Sequence, residues 1–199
     1  ASYAVYRDTV PFGGSVGTRT PVLSGVTAVT AVDAPAVEGL FIYVVVALDA
    51  VGLASAPSNE ANATVDVEAP RIEVAGVQDG VHRNGPVTAL ITVTDLTLDT
   101  WSATLNGQPY TSGTPVTAEG SYTLAITAQD QAAHTANRTI TFVIDLTAPV
   151  IRFEGVANAG LYETPPTVNV VVEDLYPAAT LLTLNGRPFT NGALVEQDG

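Results

Sequence analysis

The chain has 199 residues, 46% of them hydrophobic, 7% aromatic and only 14% charged, and its 7 basic against 20 acidic residues leave a net charge of −13. The absence of Cys excludes disulfides, zinc–thiolate sites and thiol nucleophiles, and because all 7 basic residues are Arg there is no lysine for Schiff-base or isopeptide chemistry. The acidic balance argues against nucleic acid and anionic membranes, which select clustered Lys and Arg.

The longest apolar run, GLFIYVVVAL from Gly39 to Leu48, is far short of the roughly 20 residues that span a bilayer. The N-terminus, ASYAVYRDTV, has no Met and no charged-then-apolar signal pattern. The apolar excess comes mostly from Val and Ala in alternating patterns, as a half-buried sheet requires.

In the middle of the chain, strands are expected near 71–77, 87–95, 100–106, 108–112, 114–118, 121–129 and 138–145. Val87, Ala89, Ile91 and Val93 alternate with Thr88, Leu90, Thr92 and Thr94, and Tyr122, Leu124, Ile126 and Ala128 alternate with Thr123, Ala125, Thr127 and Gln129. Asn106-Gly107 is a strong hairpin signal, since a type I′ turn needs φ > 0 at both central positions. No window has a sustained 3.6-residue apolar period with caps, so the chain reads as all-β.

Aligned to itself with an offset of 79, Asp66-Val-Glu-Ala-Pro70 falls on Asp145-Leu-Thr-Ala-Pro149, Asp95-Leu96 on Asp174-Leu175, and Leu105-Asn106-Gly107 on Leu184-Asn185-Gly186. Pro109, Tyr110, Thr111 and Gly113 fall on Pro188, Phe189, Thr190 and Gly192, and Val116 and Gly120 on Val195 and Gly199. A tandem repeat follows, with expected units at 1–66, 67–145 and 146–199. Short strands with this period fit immunoglobulin-type sandwiches.

Tyr3-Ala-Val-Tyr6-Arg7-Asp8, followed by the Gly39–Asp49 segment and its continuation to Glu60, resembles the third through last strands of a fibronectin type III domain. Phe41 stands where that family has its corner tyrosine. Residues 68–199 resemble bacterial immunoglobulin-like repeats through D-x-x-A-P, L-N-G-x-P-[YF]-T and G-S-Y-x-L-x-I-x-A-x-D. The resemblance implies tandem immunoglobulin-like and fibronectin type III-like β-sandwiches in an extended array, extracellular or on a bacterial cell surface. The first unit lacks its first strands and the last lacks its last. Either the chain is a window on a longer array, or the missing strands come from neighbouring chains by strand addition.

Chemical motifs are few. Gly13-Gly14-Ser15-Val16-Gly17 matches G-x-S-x-G but falls in an expected loop, without the strand–turn–helix a nucleophile elbow needs. His82 and His134 lack partners at metal-ligand spacing and read as exposed turn residues, and Asn62 and Asn137 begin N-glycosylation sequons. Topology gathers Asp66, Glu68, Asp95 and Asp130 at one pole of the middle unit, with Asp145 and Asp174 recurring at the next junction. Two readings stand side by side: calcium, which takes six to eight oxygen ligands, and Asp caps of local turns. Trp101, the single Trp, is expected to be buried in the core or to plug the pole, with a carbohydrate-stacking platform as the alternative.

The function expected is a non-catalytic spacer or stalk. The alternatives are an adhesin or carbohydrate-binding module, or a filament subunit completed by strands between chains. The partners implied are neighbouring repeats, other copies of the chain, or a surface glycan or protein. No nucleic acid, membrane insertion or enzymatic activity is expected.

Overall fold

The computed structural model describes residues 1–195, and the chain is all-β, with no helix among those residues. The match of Gly199 to Gly120 lies outside the described residues.

The first four strands, β1 (Ser2–Asp8), β2 (Leu23–Val26), β3 (Gly39–Leu48) and β4 (Ala61–Val65), form one antiparallel sheet in the order β2-β1-β3-β4. Ile42 and Val44 point to one face of β3, where the loop residue Phe12 is buried on them with Tyr6 and Val16. That loop is anchored by Glu60, whose Oε1 accepts from the Phe12 and Gly13 N–H groups at 2.7 and 3.0 Å.

The next strands are β5 (Arg71–Ala75), β6 (Val81–Arg83), β7 (Val87–Thr88), β8 (Leu90–Thr94), β9 (Leu98–Leu105), β10 (Gln108–Pro109), β11 (Pro115–Val116), β12 (Gly120–Asp130) and β13 (Thr135–Ile144). One sheet runs β10-β9-β12-β13-β6 and the other layer is built from the β5-β8 and β7-β11 pairs. Between the layers lie Val87, Ala89, Ile91, Leu124, Ile126, Ile140, Phe142 and Ile144, none more than 8% exposed. These are the alternate positions of the apolar pattern, since successive strand side chains point to opposite faces.

The strand expected at 71–77 ends at Ala75, and a separate short strand, β6, follows at 81–83. Gly76, with φ +84°, turns the chain so that β5 pairs antiparallel with β8 while β6 crosses to pair parallel with β13. A Cβ at Gly76 would sit 2.1 Å from the Thr88 carbonyl oxygen, so the crossing needs glycine. The expected strand at 87–95 is interrupted at Ala89. There the Tyr110 hydroxyl and the Gly113 N–H, rather than a neighbouring strand, take up the backbone groups. The expected strands at 108–112 and 114–118 shrink to two residues each.

Tyr122 opens β12 and donates its hydroxyl to the Ala118 carbonyl at 2.9 Å, a tyrosine corner. Its ring stacks on Phe142 with centroids 5.1 Å apart. The corresponding Phe41 of the first sheet has no hydroxyl to give; it is buried beneath the Arg7 guanidinium, 5.0 Å from the ring centroid. Tyr122→Phe should therefore lower unfolding free energy by about 0.5–1.5 kcal/mol, the net worth of one such bond. Urea denaturation followed by near-UV dichroism measures it.

The last strands are β14 (Val150–Glu154), β15 (Asn169–Glu173), β16 (Thr183–Leu184) and β17 (Arg187–Pro188). The offset of 79 holds here in hydrogen bonds as well as letters. Ile72↔Val93 recurs as Ile151↔Val172, and Val74↔Ile91 as Phe153↔Val170. The Ser112 clamp on the Ile91 backbone recurs as Asn191 on Val170. Gly155 repeats Gly76, with φ +80° and the Thr167 carbonyl oxygen 2.3 Å from a Cβ built there. Both Asn-Gly hairpins have positive φ at both residues: 50° and 78° at 106–107, and 52° and 77° at 185–186.

Candidate functional site

The acidic residues gather at the poles of the sandwiches because each ends a strand or begins the turn after it. Asp66 follows β4 directly; its Oδ1 accepts from the Glu68 N–H at 3.3 Å and its Oδ2 from the Thr97 hydroxyl. Asp95 follows β8 and accepts from the Thr97 N–H at 2.9 Å. Asp145 and Asp174 do the same for Thr147 and Tyr176, at 3.1 and 2.7 Å, and Asp49 for Val51 and Leu53, both at 2.9 Å. In each case a carboxylate oxygen takes a backbone N–H two residues on, the local bond that makes Asp a turn residue.

Asp130 is the one buried charged residue in the described chain, 1% exposed. It closes the β12–β13 hairpin: Oδ1 accepts from the His134 N–H and Oδ2 meets His134 Nδ1, both at 2.8 Å. Desolvation is the largest influence on its carboxyl and pushes the pKa up. The His134 N–H, the His134 ring and the Ala132 N–H together outweigh it, so the group stays below the usual carboxylate range. Stability from this interaction is present above the unfolded-state value of 3.8 and is lost as pH falls through the lower folded-state value.

His134 is thus a half-exposed partner of a buried carboxylate, not the free turn residue that spacing suggests. Ligand atoms of Asp66, Asp130 and His134 lie within 4.8 Å of one another. The Glu38 carboxyl is pushed up first by desolvation and then by the charges of Glu68, Asp66 and Asp95. Asp145 and Asp174 line one cleft with Pro149 and Tyr176. Two carboxylates and an imidazole can hold a divalent ion. The nitrogen suits a transition metal better than calcium, which takes oxygen ligands.

His82 lies on β6 and meets the Tyr176 ring edge-on, with centroids 5.7 Å apart. The Tyr176 hydroxyl reaches Ser121 Oγ at 3.0 Å. Glu119 accepts from the Leu146 N–H at 3.1 Å and the Thr147 hydroxyl at 2.7 Å, pinning the segment between the second and third units. Sequence reading passed Glu119 over, although Glu38-Gly39-x-Phe41 and Glu119-Gly120-x-Tyr122 repeat in letters.

Burial of Trp101 in the core or as a pole plug is corrected: it is 42% exposed. It shares a face of β9 with Ala103 and Leu105 and pairs with Ala128, but the packed cluster ends at Ala103 on this strand. On the opposite face of the sheet, Thr100, Ser102, Thr127, Gln129 and Asn137 line a shallow depression in which Ser102 Oγ and Thr127 Oγ1 are 3.1 Å apart. Both sequon residues, Asn62 and Asn137, are exposed on strands. Gly13–Gly17 forms a loop with no helix after it among the described residues.

No family profile and no curated protein matches the chain in sequence. Among solved structures, the fibronectin(III)-like modules of Clostridium thermocellum CbhA are similar at 14% identity, covering 71% of this chain and 77% of that one, with a TM-score of 0.28. At that score the fold assignment rests on strand order and register in this chain. No helix among the described residues is long and apolar enough to cross a membrane.

Proposed function

We propose that the chain is a non-catalytic spacer segment of a bacterial extracellular or cell-surface protein, made of immunoglobulin-like repeats that follow a fibronectin type III-like unit. Its partners are then the neighbouring repeats. The observation that carries this reading is the recurrence of one ladder register at an offset of 79 residues, with a side chain pinning the segment between copies. The polar groups at the poles support it as well, because the Asp side chains there are engaged by the backbone of their own turns. That use of carboxylates stabilises turns.

One observation favours a second reading, carbohydrate binding: Trp101 stands 42% exposed on β9 beyond the end of the packed cluster, an aromatic surface on which a sugar ring can stack. A glycan array probed with the whole chain separates the two. The spacer reading expects no saturable signal, whereas binding that disappears in Trp101→Ala would replace it with the second.

Calcium at the first junction is a separable part of the proposal, with Asp66 and Asp130 as its converging oxygens. Calorimetric titration should then give saturable heat at millimolar calcium, and Asp66→Asn should abolish it. A flat titration removes calcium from the account and leaves the spacer standing.

A further inference from the structure

The two junctions between units are fastened differently. At the second, Glu119 holds the linker by accepting from the Leu146 N–H and the Thr147 hydroxyl. At the offset of 79, Thr147 corresponds to Glu68, which has no hydroxyl to donate. Glu38, which repeats Glu119 in letters, has its carboxyl pushed up by desolvation and then by the charge of Glu68. The group that fastens one linker is thus replaced by a further carboxylate at the other, in a chain whose net charge is already −13.

Three segments converge beside that replacement. Asp66 belongs to the linker after β4, and its Oδ2 takes the Thr97 hydroxyl from the turn between β8 and β9. Asp130 and His134 belong to the β12–β13 hairpin. One ligand atom from each of Asp66, Asp130 and His134 lies within 4.8 Å of the other two. Asp130 is 1% exposed, and the His134 N–H holds its carboxylate at 2.8 Å. The His134 side chain is 37% exposed, which leaves an entry path from solvent.

The donor set selects the ion. Three protein ligands that include an imidazole, with a position left for water, are a zinc pattern, whereas calcium takes six to eight oxygens. Asp130 Oδ2 and His134 Nδ1 are 2.8 Å apart, close to the roughly 3.0–3.4 Å between adjacent ligands on an ion with bonds of about 2.1 Å. Deepening the metal part of the reading above, and resting on the same junction, we propose that Asp66, Asp130 and His134 form a site for a divalent transition metal of the zinc class that ties the first linker to the middle sandwich. The imidazole binds as the neutral ring through the nitrogen that faces Asp130, and the Thr97 hydroxyl orients Asp66 from outside, as partners of metal ligands do. Calcium would use the oxygens of Asp66 and Asp130, so His134 is the residue on which the two ions part.

Calorimetric titration of the whole chain with zinc chloride, run beside the calcium titration, tests this. The expected result is one-to-one binding at micromolar zinc, at least tenfold tighter than calcium and weakened at least tenfold by Asp66→Asn and by His134→Gln. The chain has 2 histidines, so imidazole NMR assigns the ligand: zinc should shift His134 and leave His82 unmoved. Asp66→Asn keeps an oxygen for the Thr97 hydroxyl, and unchanged thermal unfolding without metal verifies its fold. Zinc binding that survives both substitutions, a shift at His82 alone, or affinity no tighter than for calcium would overturn the proposal. Heat with calcium that His134→Gln leaves intact, and none with zinc, overturns the zinc site and keeps the calcium reading. Flat titrations with both ions remove both, and the spacer reading stands in either case.

Discussion

Replacing Gly76 by alanine should destabilise the middle sandwich by about 2–5 kcal/mol. Two terms add: about 1–2 kcal/mol for an L-residue held in the left-handed region, and about 1–3 kcal/mol for the overpacking that follows. The second arises because the new Cβ would lie 2.1 Å from the Thr88 carbonyl oxygen, which is backbone and cannot swing aside. Gly80→Ala is the matched control. Its φ is +71° but nothing lies within 4 Å of its Cβ, so only the first term applies. Urea denaturation of the two variants should separate them by more than 1 kcal/mol. Equal losses would mean that the strand does not cross between sheets as described.

Truncating Phe142 to alanine should cost about 3–5 kcal/mol, the range for a large aromatic removed from a packed core. The residue is 2% exposed and stacks on Tyr122. Its loss therefore leaves a cavity and also loosens the ring that carries the corner hydrogen bond. Marginal stability is typically about 5–15 kcal/mol, so the variant should be largely or partly unfolded at 37 °C. Thermal unfolding by circular dichroism checks this, and a loss below 1.5 kcal/mol would contradict the placement of Phe142 between the layers.

Period-two patterns were the most legible part of the fold. They located the core faces of β8, β12 and β13 because each strand buries one face only, and the Asn-Gly pairs located both hairpins because few other residues adopt those φ values. The crossing after Ala75 was not legible from alternation alone, since Ile72 and Val74 set the phase only as far as Gly76 and Val77 falls out of it. Its signal was the recurrence of glycine at 76 and 155 with Thr at 88 and 167, which becomes a close approach only in three dimensions.

The candidate sites divide the same way. Strand ends predicted that Asp66 and Asp130 would meet at one pole, and they do, but the third group there is His134 rather than Glu68 or Asp95. A residue four positions after a buried Asp becomes its partner only when the hairpin between them is tight, as it is with Ala133 at φ +69°. Trp101 misled for a related reason. Its side of β9 is the core side, but facing apolar residues do not extend over it, and strand periodicity says nothing about where the opposite layer stops.

Native-state hydrogen exchange on the whole chain tests the repeat architecture most directly. The slowest amides are predicted at Leu124, Ile126, Ile140 and Phe142, in the buried cluster of the middle unit. Equivalent ladder positions of β14 and β15 should exchange orders of magnitude faster than those of β5 and β8, despite identical register, because Ile151 and Phe153 are 62% and 65% exposed whereas Ile72 and Val74 pack against the buried core. Equal protection of the two ladders would contradict the account.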